Sequence, residues 1–173
     1  DVRSKADYVH AHVPGSVHLA ADEQLPNKVG FVLPPSVRVI LMVNDEDEYR
    51  RAAMGLARVG YDEVLGYIEG GIRTWQAFGL PVTSGDIEDV TPQQLAALMR
   101  NGNGSKPQVV DVREPWEYHR GHVPGAVLIP LGDLARRVDE LDPAHPVVAI
   151  CQSGNRSQAA AALLAQKGFK KVY

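Results

Sequence analysis

The stretch DVREPWEYHRGHVPGAVLI (Asp111–Ile129) decides how this chain is organised, because a second version of it stands at the start of the sequence. DVRSKADYVHAHVPGSVHL (Asp1–Leu19) aligns with it without a gap at an offset of 110 residues, and nine positions are identical. A period this long exceeds the roughly 20–50 residues of solenoid repeats. It therefore indicates the tandem duplication of a whole domain.

A second match between the copies helps to place the domain boundaries. Gly60–Val64 aligns with Gly168–Val172 at an offset of 108, so the copies differ by two residues in the stretch between the two matches. We expect one domain at residues 1–83 and another at residues 84–173, joined near the small polar stretch Thr83–Gly85. Each copy lacks a segment that the other contains. The first copy is therefore predicted to be truncated at its N-terminus and the second at its C-terminus.

Composition narrows the class of protein. With 45% apolar and 23% charged residues, the 173-residue chain falls in the ordinary globular range. A net charge of −3 argues against nucleic-acid binding, and no apolar run is long enough to suggest a membrane span. The single cysteine, Cys151, excludes an internal disulfide, and the six scattered histidines do not suggest a metal site. A lone thiol without an export signal predicts a cytoplasmic protein, for which we expect no metal or organic cofactor.

Strands alternate with helices along the second copy. Val147–Ile150 is a continuous apolar run, which is typical of a strand buried on both faces. Helices are predicted over Leu131–Leu141 and Ser157–Lys167, and another begins at Pro92 with Thr91 as its cap. This alternation indicates a parallel sheet. The predicted fold class is α/β, with two domains that each contain a parallel sheet flanked by helices on both faces.

The loop CQSGNRS (Cys151–Ser157) follows the predicted buried strand and contains the lone thiol. Ligands bind at the carboxyl ends of the strands in open α/β sheets. Gly154 permits a tight backbone turn, and Arg156 supplies a fixed positive charge. Small polar residues let successive N–H groups converge on one point: Ser153, Asn155 and Ser157. Because such N–H groups attract an anion and lower the pKa of a thiol, we expect a reactive cysteine rather than a small buried apolar residue.

The pattern Cys151-x-x-Gly154-x-Arg156 resembles the active-site loop of the rhodanese family, the single-cysteine sulfurtransferases. Three further motifs are similar to the DVR, EY and GHIPGA signatures of that family: Asp111–Arg113, Glu117-Tyr118 and Gly121–Ala126. The resemblance covers both copies, and its motifs occur in the order of the family. Tandem domains with one cysteine also resemble the C-terminal part of fusions between a metallo-β-lactamase-like domain and rhodanese domains.

The resemblance implies that a sulfane sulfur is carried as a persulfide on Cys151. The donor would be thiosulfate or a low-molecular-weight persulfide, and the acceptor a thiol or cyanide. Cys151 would act as the nucleophile, while Arg156 would position the donor and stabilise charge. The other loop residues are expected to bind the substrate: Gln152, Ser153, Gly154, Asn155 and Ser157.

Three alternatives to this simple sulfurtransferase stay open. The chain could be the rhodanese module of a persulfide-metabolising fusion protein. It could instead be a non-catalytic tandem that binds a partner or senses redox state through Cys151. Phosphatase chemistry is disfavoured, because cysteine phosphatases place the arginine one residue further from the cysteine and so form a wider loop.

The first copy provides an internal comparison for the cysteine loop. Val43–Tyr49 aligns with Cys151–Ser157, so that Val43 replaces the nucleophile, and the four carboxylates of Asp45–Glu48 would repel an anion. The first copy carries 11 acidic and 8 basic residues, a net charge of −3, whereas the second carries 10 of each. We expect the first copy to be catalytically inactive and to pack on the second copy or on an upstream domain.

Several other conspicuous residues are predicted to be structural. Scaffold roles are expected for residues that persist in the copy without a nucleophile: Asp111 with Asp1, Arg113 with Arg3, and His122 with His12. The two arginines are expected to pair with carboxylates. Trp75 and Trp116 are expected to be packing residues and not to stack on a substrate.

Overall fold

The structure, a computed structural model, describes residues 1–85, 87–101 and 106–173. The chain divides into two compact units, Asp1–Gly85 and Asp86–Tyr173. In these described ranges, none of the helices is both long enough and apolar enough to cross a membrane.

The first unit forms a parallel strand pair with helices beside it. Its elements in chain order are α1 (Lys5–His10), α2 (Leu25–Val32), β1 (Val39–Leu41), α3 (Glu46–Ala57), β2 (Val64–Tyr67) and α4 (Gly71–Ala77). β1 pairs in parallel with β2, which places Val39 opposite Val64 and Leu41 opposite Tyr67. Because parallel neighbours need a crossover, α3 connects the two strands.

The second unit forms a parallel sheet in the order β4-β3-β5 over its described residues. Its elements are α5 (Pro92–Asn101), β3 (Gln108–Asp111), α6 (Pro115–Arg120), β4 (Val127–Leu128), α7 (Leu131–Arg137), a 3₁₀ turn (Val138–Glu140), β5 (Val147–Ile150) and α8 (Asn155–Gln166). The central strand β3 pairs in parallel with both neighbours. The α/β class and the parallel sheets with flanking helices are therefore confirmed.

The element boundaries follow the sequence with two differences. β5 occupies the predicted range, and Thr91 caps α5 by accepting a hydrogen bond from the N–H of Gln94 at 3.2 Å. The helix predicted to continue to Leu141 ends at Arg137, because the chain tightens there into a 3₁₀ turn. α8 begins at Asn155, two residues before the predicted start, because Gly154 serves as its N-cap with φ +91°.

A core of buried apolar side chains holds the ends of β5 and α8 in place. The β5 residues Val147 and Val148 are buried, and α8 packs against β5 through a run of small and apolar residues, Ala159–Leu164, that is buried throughout. On the α5 side, Leu95 packs in a cluster with Val109, Ala126 and Val148. Close packing makes such a core resist deformation, so the loop between β5 and α8 is anchored at both ends.

The duplicated motifs make the same contacts in both units. Arg113 binds the buried Asp111 at 2.6 Å, as Arg3 binds Asp1 at 2.6 Å. The same arginines donate to the carbonyl oxygens of Gly121 and Ala11 at 2.9 and 2.7 Å. The predicted pairing of these arginines with carboxylates is confirmed.

The tyrosine and histidine of each motif also repeat their geometry. Tyr118 stacks on His122 with ring centroids 3.7 Å apart, and Tyr8 stacks on His12 at 3.8 Å. Since these contacts recur in a unit without cysteine, they support a scaffold role for both histidines.

Candidate active site

Cys151 is half-buried at the carboxyl end of β5, and three residues separate it from the first residue of α8. Its Sγ atom accepts hydrogen bonds from the backbone N–H groups of Gly154 at 3.1 Å and Ser157 at 3.4 Å. The Ser157 hydroxyl oxygen lies 3.6 Å from Sγ and donates to the Gly154 carbonyl at 3.0 Å. The loop therefore folds back so that donors of a helix N-terminus surround a single sulfur atom.

These donors change the acidity of the thiol. Burial by itself raises the pKa of Cys151, because a thiolate loses hydration in the interior. Hydrogen bonds from the Ser157 side chain and from the N–H groups of Ser157, Ser153 and Gly154 outweigh burial, so that the pKa is lowered from its usual value. A larger fraction of the sulfur is thereby ionised at neutral pH.

Gly154 makes the turn that brings these groups together. Its φ of +91° lies in the left-handed region, which costs an L-residue strain but suits glycine. A side chain at this position would meet no neighbouring atom within 4 Å, so the requirement for glycine comes from the backbone conformation and not from crowding.

Arg156 lies in the first turn of α8 and is bound to a carboxylate of α6. Its two terminal nitrogens donate to the two oxygens of Glu117 at 2.6 and 2.8 Å, in a bidentate pair. The Arg156 side chain is 32% exposed and that of Glu117 is 12% exposed, so the pair is partly shielded from water. The bonds from Arg156 and from the N–H of Glu114 lower the pKa of Glu117 to about 2.

The structure brings only some of the predicted binding residues to the sulfur. Gly154 and Ser157 contact Sγ directly, and Ser153 contributes its backbone N–H. The side chains of Gln152, Ser153 and Asn155 are exposed. Throughout the ranges that the structure describes, no group of three or more His, Cys, Asp or Glu side chains could hold a metal ion.

A pocket of about 400 Å³ borders the cysteine loop at Gln152. Its lining residues come mainly from α6 and the motif around it: Arg113, Trp116, Glu117, Arg120, Gly121 and Gln152. Trp116 is 61% exposed, and the guanidinium of Arg120 lies 5.2 Å from its ring centroid. The prediction that Trp116 is a packing residue was wrong, because it lies on the solvent side of a six-residue helix.

The first unit presents a different surface at the equivalent place. The N–H of Val2 donates to the carbonyl of Met42 at 3.0 Å, as that of Val112 donates to Ile150 at 3.0 Å, so Val43 occupies the position of the cysteine. Val43 is buried.

Backbone N–H groups at the start of α3 donate to carboxylate side chains of the same segment. The N–H of Glu48 donates to the Asp45 side chain at 2.7 Å, and the N–H of Asn44 donates to the Glu48 side chain at 2.6 Å. Carboxylate side chains thus occupy N–H groups at the start of this helix, where the second unit places a thiol.

The Rhodanese-like domain family matches residues 1–78 and 91–173, which together make up most of the sequence. The chain belongs to the rhodanese family.

Curated relatives of this rhodanese chain include sulfurtransferases. GlpE of Pseudomonas aeruginosa (strain PAO1), a thiosulfate sulfurtransferase, is 37% identical over 90 residues, which are 52% of this chain and 78% of the relative. YrkF of Bacillus subtilis (strain 168), whose name suggests a sulfur carrier, is 47% identical over 64 residues. That match spans 37% of this chain and about a third of the relative's length, 35%.

Among solved structures, a thiosulfate sulfurtransferase from Pseudomonas aeruginosa aligns with 99% of this rhodanese chain and with 36% of its own length. The TM-score is 0.43 at 20% identity. At this level of similarity the alignment adds nothing to the family assignment.

Two features of the site were not predicted from the sequence. The ion pair of Arg156 was not predicted, although Glu117 belongs to the quoted EY motif and a fixed cation at a loop requires a counter-charge. The neighbouring Trp116 and Arg120 stand four residues apart, a spacing that puts them on one helix face. This spacing could have indicated from the sequence that the two side chains line one side of a pocket.

Proposed function

We propose that the second unit is a sulfurtransferase that carries a sulfane sulfur as a persulfide on Cys151. The observation that carries this proposal is the convergence of two backbone N–H groups on the Cys151 sulfur at the start of α8. Together with the Ser157 hydroxyl, they favour an anionic sulfur at this point. The name of the GlpE relatives supports thiosulfate as the donor.

The first step is a displacement by the Cys151 thiolate. The thiolate attacks the outer sulfur of thiosulfate, and a new bond joins Sγ to that sulfur. The bond between the two sulfur atoms of thiosulfate breaks, and sulfite leaves with the electron pair. The total charge is unchanged, and no oxidant or reductant is consumed. A low-molecular-weight persulfide donor reacts in the same way, with a thiolate as the leaving group.

The second step returns the cysteine to its thiolate form. The outer sulfur of the Cys151 persulfide is anionic, and the N–H groups of Ser153, Gly154 and Ser157 stabilise it in this scheme. An acceptor thiolate or cyanide attacks this sulfur, and the bond to Sγ breaks. The products are an organic persulfide or thiocyanate and the free Cys151 thiolate.

Arg156 acts in this scheme as a positioning residue rather than as the donor-binding cation that the sequence suggested. Both of its terminal nitrogens already bind Glu117, so the pair joins α6 to the first turn of α8. The bond to Glu117 raises the pKa of Arg156, and the charge of Cys151 contributes in the same direction. The pair therefore helps to fix the geometry of the cysteine loop.

The first unit is inactive in this proposal. Val43 has no nucleophilic atom, and the N–H groups at the start of α3 bind the carboxylates of Asp45 and Glu48. An anionic donor would meet negative charge where the second unit offers hydrogen-bond donors. A cysteine introduced at position 43 should therefore not make the first unit active.

The test is turnover of thiosulfate and cyanide to thiocyanate by the full chain. We expect wild type to be active, Cys151→Ser to be inactive, and the double variant Val43→Cys/Cys151→Ser to stay inactive. Undiminished turnover in Cys151→Ser would refute the role of Cys151. Activity restored by Val43→Cys would refute the inactivity of the first loop. An inactive wild type would favour a non-catalytic binding or redox-sensing tandem.

A further inference from the structure

The pocket beside the cysteine loop is larger than thiosulfate requires. Its volume of about 400 Å³ lies within the range of roughly 300–1,000 Å³ that is typical of sites for organic ligands. The pocket reaches the loop at Gln152, which follows Cys151 in the chain, and its other lining residues belong to the segment Arg113–Gly121. A molecule bound there would lie next to the loop that carries the cysteine.

Comparison of the two units shows which pocket residues belong to the shared motif and which occur only in the second unit. Arg113 has its counterpart in Arg3, and both make the same carboxylate and carbonyl contacts. At the same offset, Trp116 and Arg120 correspond to Ala6 and His10 in the first unit. The aromatic ring and the added cation thus accompany the cysteine and are not needed to form the shared motif.

Arg120 is the cation of this pocket that remains available to a ligand. Arg113 is bound to Asp111, and the nearby Arg156 is bound to Glu117, each in a bidentate pair. Arg120 is exposed and lies over the Trp116 ring, and no carboxylate pairs with it among the residues that the structure describes. A guanidinium in this setting suits a ligand carboxylate, because its planar fork matches the two oxygens.

We propose that this pocket binds a carboxylate-bearing organic thiol, which serves as the acceptor of the sulfur held by Cys151. Arg120 binds the carboxylate, and the exposed ring of Trp116 packs on the carbon skeleton. The acceptor thiolate attacks the outer sulfur of the persulfide, and the electron pair of the broken bond returns to Cys151. This inference rests on the proposed function, because it specifies the acceptor of that reaction.

The kinetic test compares acceptors that differ in charge, with thiosulfate as the donor. The full chain is assayed with mercaptosuccinate, which carries two carboxylates, and with the uncharged 2-mercaptoethanol. The quantity compared is kcat/KM for mercaptosuccinate divided by kcat/KM for 2-mercaptoethanol. Arg120→Gln should lower this ratio about tenfold, because a charge-assisted hydrogen bond is lost. The matched control is Arg136→Gln, which removes an exposed arginine of α7 and should leave the ratio unchanged. Trp116→Ala should raise KM for both thiols without changing which of them has the higher kcat/KM.

A binding measurement keeps this inference separate from the proposed function. Mercaptosuccinate is titrated into Cys151→Ser and Cys151→Ser/Arg120→Gln by calorimetry, which requires no sulfur transfer. We expect affinity to fall about tenfold on loss of Arg120. Equal binding by both proteins, or a ratio of kcat/KM values that Arg120→Gln leaves unchanged, overturns the acceptor pocket. Binding that depends on Arg120, with a wild type that forms no persulfide, overturns the proposed function and leaves the pocket as a carboxylate site.

Discussion

Ser157→Ala should raise the pKa of the Cys151 thiol and slow its reactions at neutral pH. The substitution removes only the hydroxyl that lies 3.6 Å from Sγ, and the backbone N–H of residue 157, at 3.4 Å, remains. In the structure that hydroxyl donates to the Gly154 carbonyl at 3.0 Å. When the thiol ionises, the hydroxyl can turn its single hydrogen to the stronger acceptor, the thiolate.

The size of the effect follows from this exchange of acceptors. A hydrogen bond to a charged group is worth about 1.5–3 kcal/mol, and the neutral bond that is given up is worth about 0.5–1.5 kcal/mol. The difference is on the order of 1.4 kcal/mol, which corresponds to about a tenfold change in the acid dissociation constant of the thiol. At a pH where the thiol is mostly protonated, the thiolate fraction of the variant should be about one tenth of that of wild type.

The assay is the rate of alkylation by iodoacetamide as a function of pH, since Cys151 is the chain's one cysteine. Ser153→Ala is the matched control, because Ser153 lies in the same loop but contributes only its backbone N–H. We expect the midpoint of the pH profile to rise in Ser157→Ala and to stay at the wild-type value in Ser153→Ala. Equal midpoints in all three proteins would contradict the account of thiol activation, as would equal shifts in both variants.

Three further predictions concern stability, measured as urea midpoints. Because the pKa of Glu117 is lowered from 4.5 to about 2, its stabilising effect is present above pH 4.5 and lost as pH falls toward 2. The difference between wild type and Glu117→Gln should shrink over that window, and a constant difference would refute the ion pair's contribution. Gly154→Ala should destabilise the protein by about 1–2 kcal/mol, because residue 154 has a positive φ. The control Gly132→Ala, in α7, should stabilise the protein by up to about 1 kcal/mol. Equal effects of the two substitutions would exclude backbone strain at position 154. Leu164→Ala should cost about 2–5 kcal/mol because Leu164 is fully buried, while the exposed Val127→Ala should change stability by less than about 0.5 kcal/mol.

The parts of the fold that were predicted from sequence are those that local pattern determines. Val147–Ile150 is an uninterrupted apolar run, and a strand buried on both faces produces such a run. The repeat predicted equivalent contacts for Arg113 and Arg3, because the same residues at the same spacing meet the same backbone. The position of Cys151 at a strand end followed from these two patterns.

The remaining features depend on groups that are distant in sequence or on local backbone geometry. Arg156 and Glu117 are 39 residues apart, so their pairing requires the packing of α6 beside the start of α8. The orientation of Trp116 could not be read from a six-residue helix, which is too short to show a hydrophobic period. The predicted start of α8 at Ser157 was two residues late, because Gly154 turns the chain earlier and serves as the N-cap.

The measurement that tests the central claim most directly is the mass of the Cys151 peptide after incubation with thiosulfate under non-reducing conditions. We predict that wild type gains the mass of one sulfur atom on Cys151 and loses it when cyanide is added. Cys151→Ser, which has no thiol, should gain nothing. An unchanged mass for the wild-type peptide, or an added sulfur located on another residue, would contradict the proposal that the second unit carries sulfur on Cys151.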